Sequence, residues 1–216
     1  MNNRSRCAIL SSVRKMPKRN RNTKAKIVSA AWSLFYSQGY DGTTVDDIVE
    51  ASETSKGSFY HYFESKDALL SSLSYLFDEK YEQLQNSLGG MSSMEKLLYL
   101  NQELFGLIDD KIDQNLIAML YSTQLLKRGE KSLIDNDRFY YKLLRRIVSE
   151  GQQSGELNLQ ISVNDIVRLY AMCERAMICE WCMCNCAFSL KDFSKQNLPR
   201  LLKCIEGIDA EFCGKK

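Results

Sequence analysis

The sequence predicts an all-α chain, a small N-terminal unit of three helices followed by a larger helical domain. Three observations predict it. The only prolines are Pro17 and Pro199, so almost no position is barred from a helix. Apolar residues recur at the 3.6-residue period along most of the 216 residues, with no convincing strand alternation and no internal repeat. The 44% hydrophobic content is enough for a substantial core.

The elements follow in order. Residues 1–21 show no periodicity and read as a flexible basic arm, in which Met16 is an alternative start. From Thr23, the residues Ile27, Ala30, Ala31, Leu34 and Phe35 form one apolar helical face, which Gly39 closes. Asp41-Gly42 is a turn. Thr44 caps a short second helix with Asp47 three residues on, and Val45, Ile48 and Val49 face inward. Ser52–Thr54 interrupts it, and a third short helix runs from Ser55 to Tyr62. Ser65 caps a long helix with the stripe Leu69, Leu73, Phe77, Tyr81, Leu84 and Leu88, closed by Gly89-Gly90. Further helices are expected over Ser93–Asp109, Asn115–Lys127, Ile134–Gln153, Ser162–Cys184 and Asn197–Phe212. The breaks fall at Asp109-Asp110, Arg128-Gly129, Ser154-Gly155 and the polar stretch Ser189–Ser194. Pro199 is expected in the first turn of the last helix.

Charge is unevenly placed. Residues 1–26 hold nine basic residues and no acid, which leaves 20 basic against 27 acidic residues over the remainder. A basic end on an acidic body suits a polyanion met locally. Cys7–Leu10 is too short for the apolar stretch of a secretory signal, and no window approaches the roughly 18 apolar residues of a membrane span. The expectation is a cytoplasmic protein whose eight cysteines are reduced. Enzyme chemistry is not expected. The single histidine, His61, has no nucleophile or metal motif around it, and no Gly-rich phosphate loop occurs.

Two short helices joined by a tight turn and braced by a longer one make a helix-turn-helix. The segment that would enter a major groove reads Ser55-Lys56-Gly57-Ser58-Phe59-Tyr60-His61-Tyr62. Ser55, Lys56 and Ser58 reach phosphates and base edges, Gly57 lets the backbone approach, and Tyr60 and His61 carry polar tips. Phe59 and Phe63 are read as inward anchors. Thr44 and Lys66 lie at helix starts, where a phosphate is favoured.

These residues resemble the N-terminal DNA-binding domain of the TetR family of bacterial repressors. The matching pieces are Ala30-Ala31, Leu34-Phe35, Gly39-Tyr40, Thr43-Thr44-Val45-Asp46-Asp47-Ile48, Ser55–Phe63 and Lys66-Asp67-Ala68-Leu69-Leu70. The phrase Glu150–Leu157 is similar to the end of a ligand-domain helix in that family. Two departures stand out. Glu53 occupies a turn position where the family has glycine, which strains the backbone if the position needs φ > 0. Tyr62 replaces a histidine, with His61 one residue earlier. The resemblance implies residues 22–66 as the DNA-binding domain and 67–216 as a helical ligand-binding and dimerisation domain. It implies a homodimer on a palindromic double-stranded operator, released by an unknown small-molecule inducer, with no cofactor and no membrane partner. Thr43, Thr44, Ser55, Lys56, Gly57, Ser58, Tyr60, His61 and Lys66 become the DNA-binding set.

In the C-terminal domain, Tyr99, Phe105, Met119, Tyr121, Phe139, Met172, Arg175 and Trp181 are candidates to line a pocket, and each also fits as ordinary core. Glu174 and Arg175 are odd charges on an apolar helix. They fit a pairing across a two-fold axis, or Arg175 an acidic ligand. Cys179, Cys182 and Cys186 share one helical face and are candidates for metal or thiol sensing, as well as for small core residues. A helical dimer whose DNA-binding unit has become an interaction module is a further alternative.

Overall fold

The computed structural model describes residues 18–125 and 131–207. The side chains of residues 18–22 and of Tyr75 are not part of that description. Residues 1–17, the expected break at Arg128-Gly129 and the expected helix end at Phe212 lie outside it. Among the described residues the structure is helical, apart from an isolated antiparallel bridge between Leu157 and Glu206.

The chain forms two compact units. One takes the chain up to Glu79 together with Lys111–Asp135, and the other takes Lys80–Asp110 together with the chain from Asn136 onward. In the first unit, α1 spans Lys18–Gln38, α2 Val45–Ala51, α3 Lys56–Tyr62 and α4 Lys66–Leu70. Helix α1 begins inside the segment expected as an arm. Its first turns are rich in Lys and Arg, good helix formers that show no apolar face. Ile27, Ala31, Trp32 and Phe35 are buried on α1, which packs on α2 and α3, where Ile48 and Phe59 are fully buried. Helix α7, Gln114–Leu125, packs on α4 with Leu116, Ile117 and Leu120 buried.

The long helix expected from Ser65 to Leu88 is divided at Ser71, and α5 runs over Ser72–Leu84. A serine cluster explains the division. Ser74 Oγ donates to the Ser71 carbonyl at 2.6 Å, Ser72 Oγ donates to the Leu69 carbonyl, and these hydroxyls compete with helical bonding. Ser72 Oγ also accepts from Trp32 Nε1 at 3.1 Å. The apolar stripe holds nonetheless, for Leu69, Leu73, Phe77, Tyr81, Leu84 and Leu88 are all buried.

In the second unit, α6 spans Ser93–Lys111, with its last residue assigned to the first unit. Helices α8 (Phe139–Gln153), α9 (Val163–Met183) and α10 (Leu190–Leu201) follow. Ser162 and Asp165 cap α9 as expected. Gly151 is fixed by close packing, since a β-carbon there would sit 2.6 Å from that of Ser93 and 2.8 Å from Leu157. Gly155 then takes φ +81 just past α8. These two requirements account for the glycines of the Glu150–Leu157 phrase.

The last helix corrects the sequence reading. Ser189–Ser194 is its start, with Ser189 Oγ accepting from the Asp192 amide at 3.1 Å and donating to Asp109 Oδ2 at 3.0 Å. Pro199 therefore lies inside the helix, near its C-terminal end. There it removes one backbone donor, and the chain passes to a 3₁₀ turn over Leu202–Ile205.

Candidate nucleic-acid interface

Each short helix is fixed at both ends. Thr44 Oγ1 accepts from the Asp47 amide at 3.1 Å, and the Asp47 carboxylate accepts from the Thr44 amide at 2.7 Å. That bond to the Thr44 backbone holds the Asp47 carboxyl below the usual range. Helix α2 ends through bonds from the Ser52 amide to the Ile48 carbonyl and from the Thr54 amide to the Val49 carbonyl. Between them Glu53 takes φ +52, the left-handed conformation that glycine adopts freely. The condition under which Glu53 strains the turn is met. Ser55 then caps α3 by accepting from the Ser58 amide at 3.0 Å.

Phe59 is fully buried and Phe63 nearly so, which seats α3 against α1. The same geometry leaves Ser55, Lys56, Gly57, Tyr60 and His61 exposed, Ser58 half-buried and Tyr60 55% exposed. Gly57 faces open space, its nearest neighbour to a β-carbon being Ser55 Oγ at 3.8 Å. Nothing in the fold requires glycine there. Thr44 is exposed at the start of α2.

Two members of the expected set sit differently. Thr43 is fully buried and its hydroxyl donates to the Gly39 carbonyl at 2.7 Å, so its side chain serves the turn and does not reach an outer face. Lys66 points inward, donating to the Tyr40 and Thr43 carbonyls at 2.7 and 2.8 Å above the Tyr40 ring. Two of its three protons are thereby committed. The Tyr40 hydroxyl donates to Asp67, and burial, with this bond to Asp67, pushes the phenol well above its ordinary value. Asp46, named above only within the matching stretch Thr43–Ile48, meets Lys56 at 2.7 Å in an exposed ion pair. Its signal was the ten-residue spacing across the turn, which no local pattern marks.

Two short capped helices, seated by aromatic anchors on a third and polar on their outer face, define a helix-turn-helix DNA-binding unit. The chain matches, over residues 27–73, the family model of the bacterial regulatory proteins of the tetR family. It is 52% identical over 46 residues to the uncharacterized HTH-type transcriptional regulator in the lacX 3′ region of Lactococcus lactis subsp. lactis, covering 21% of this chain and 24% of that one. It is 26% identical over 143 residues to the uncharacterized HTH-type transcriptional regulator YvdT of Bacillus subtilis (strain 168), covering 66% and 73%. The first of these matches thus spans about a quarter of its relative's length. In fold the chain is similar to the transcriptional regulator FadR from Bacillus subtilis, solved in complex with stearoyl-CoA. The TM-score is 0.65 at 24% identity, covering 85% of this chain and all of that one.

The second unit does not gather the expected pocket residues. Met119 and Tyr121 belong to the first unit, Met172 is 50% exposed, and Tyr99 and Phe139 are half-buried. Phe105 is core, and Trp181 donates to the Phe188 carbonyl at 2.9 Å. Arg175 donates to the Tyr141 hydroxyl at 3.1 Å. Aromatic and methionine content ignores which face a side chain occupies, so it selects core and surface alike.

What the unit does gather is polar. Glu174 on α9 is buried and accepts from Asn101 Nδ2 at 2.9 Å, from the Tyr140 hydroxyl at 2.6 Å and from the Tyr170 hydroxyl at 3.0 Å. This replaces the pairing of Glu174 across a two-fold axis, because its partners are in its own unit. The Tyr170 oxygen also lies 2.7 Å from the Leu97 carbonyl, and a phenol has one proton to give. Burial raises the Glu174 carboxyl above its ordinary value, against the lowering effect of these hydrogen bonds. Asn101 Oδ1 is buried with no donor, a lack worth about 1–3 kcal/mol. The sequence signal was Tyr170 and Glu174 four residues apart on an otherwise apolar helical face.

Among the described residues, Cys179, Cys182 and Cys186 are not gathered into a metal centre. Helix α9 ends at Met183, and Asn185 and Cys186 take φ +50 and +55. Cys186 therefore lies beyond the helix, though its side chain stays within hydrogen-bond reach of Cys182. Among the described residues, no three His, Cys, Asp or Glu side chains are gathered to hold a metal ion. Burial and the neighbouring Cys186 push the Cys182 thiol up to about 11, and burial raises those of Cys173 and Cys179. Raised thiols are poor nucleophiles at neutral pH.

Proposed function

We propose that the protein is a ligand-responsive transcriptional repressor that binds a palindromic operator as a homodimer and releases it when a small-molecule inducer binds. The observation that carries the reading is α3. Phe59 and Phe63 lock it inward while Ser55, Lys56, Gly57, Tyr60 and His61 face out. In this reading α3 enters the major groove and Thr44 holds a flanking phosphate. Lys56 exchanges Asp46 for a phosphate on binding. Two copies reading successive grooves need recognition helices roughly 34–36 Å apart, and an inducer acts by disfavouring that spacing.

An apolar stripe on α9 supports the dimer. Met172, Ala176 and Met183 are exposed and Cys179 is half-buried at intervals of four, three and four residues. The complex of the similar FadR with stearoyl-CoA supports a small-molecule ligand in a chain of this fold. Fluorescence anisotropy on fragmented genomic DNA tests the reading. Site-selective binding that weakens steeply with salt is expected, and its absence overturns the proposal.

A further inference from the structure

We propose that Glu174 and Asn101 anchor a small molecule that carries a protonated amine on an apolar body. The inference rests on the ligand-responsive reading above and names the chemical class of the ligand.

A carboxylate taken out of water needs a proton or a positive partner. The groups around Glu174 supply neither in full. Asn101 from α6, Tyr140 from α8 and Tyr170 from α9 are neutral donors. Tyr81 of α5 stacks against Tyr140, ring centroids 5.0 Å apart, and Cys173 is a thiol. Two cations are near. Arg175 directs Nη1 to Tyr141, and Arg138 lies 5.8 Å over the Tyr140 ring. Neither forms an ion pair with Glu174 among the described residues.

The second observation is independent of charge. Asn101 is fully buried and spends its amide on Glu174, while its Oδ1 receives no donor. A protonated amine meets both needs, charge for the carboxylate and an N–H for Oδ1. A carboxylate ligand would meet Glu174 as a like charge.

Calorimetry on the full chain decides, with three matched pairs as probes. These are 2-phenylethylammonium and 3-phenylpropionate, tryptamine and indole-3-propionate, and decylammonium and decanoate. At least one amine is expected to bind tenfold or more tighter than its matched carboxylate. Glu174→Gln is expected to weaken that amine at least tenfold and change the carboxylate less than twofold. No amine binding, a preference for the carboxylates, or an amine affinity unmoved in Glu174→Gln overturns the proposal. Should Glu174→Gln lose its helical circular dichroism, the wild-type ratio decides alone, and a ratio below ten overturns it. Anisotropy with bound DNA separates the two readings. An amine that binds through Glu174 and leaves DNA bound keeps this site and overturns inducer control. A carboxylate that alone releases DNA keeps inducer control and overturns this site.

Discussion

At the scale of the residue, two side chains hold conditions that the rest of the fold must offset. Glu53 sits at φ +52 at the end of α2, where a β-carbon costs about 1 kcal/mol. Its ion pair with Lys26 is long at 3.9 Å and exposed, and adds little. Glu53→Gly removes both the strain and a negative charge beside the proposed groove face. We expect a higher melting temperature and tighter DNA binding by anisotropy, whereas Glu53→Gln, which keeps the strain, leaves the melting temperature near wild type. Weaker binding by Glu53→Gly would show that the turn does not need glycine here. Glu174 acts through pH. Its carboxyl is raised in the fold, so the native state holds its proton more tightly than the unfolded chain. Its contribution is full in acid, below the ordinary carboxylate value, and is lost as pH rises through the raised one. Melting temperatures measured from pH 4 upward should fall less with pH in Glu174→Gln than in wild type. Parallel curves would contradict the assignment.

At the scale of the element, α3 separates packing from function. Gly57 is exposed, with open space where a β-carbon would go, and a helix-interior glycine is about 1 kcal/mol worse than alanine. Gly57→Ala should therefore stabilise the fold slightly while weakening DNA binding at least fivefold, because the backbone can no longer approach the groove. Unchanged affinity in anisotropy would remove α3 from the groove. The elements best read from sequence were those that carry their own signals. Thr44 with Asp47, Ser55, and Ser162 with Asp165 announce caps, and the stripe from Leu69 to Leu88 announces one buried face. What failed was read from composition. Ser189–Ser194 looks polar, yet Ser189 and Asp192 are a cap and Leu190 is fully buried. Thr43 and Lys66 fit a DNA-binding pattern, yet their bonds to backbone carbonyls turn them inward. Asn101 and Tyr140 were invisible because their partner, Glu174, is distant in sequence.

At the scale of the whole molecule, the proposed operator binding depends on two copies. One helix-turn-helix gives modest affinity, and joining two raises it through effective concentration. The stripe Met172, Ala176, Cys179 and Met183 on α9, with Leu201 of α10 also exposed, is the surface a second copy would cover. Ala176→Glu puts a charge in the middle of it. Sedimentation should then report a monomer, and DNA affinity should fall by at least tenfold with circular dichroism unchanged. A dimer that persists in Ala176→Glu places the contact elsewhere.

The left-handed turn at Glu53 has a consequence in the genetic code. Glutamate codons differ from glycine codons by one base, so any growing population carrying this gene generates Glu53→Gly continually. Relief of the strained turn is always a single mutation away. A selection for tighter repression on a weakened operator has its simplest solution already written at that codon.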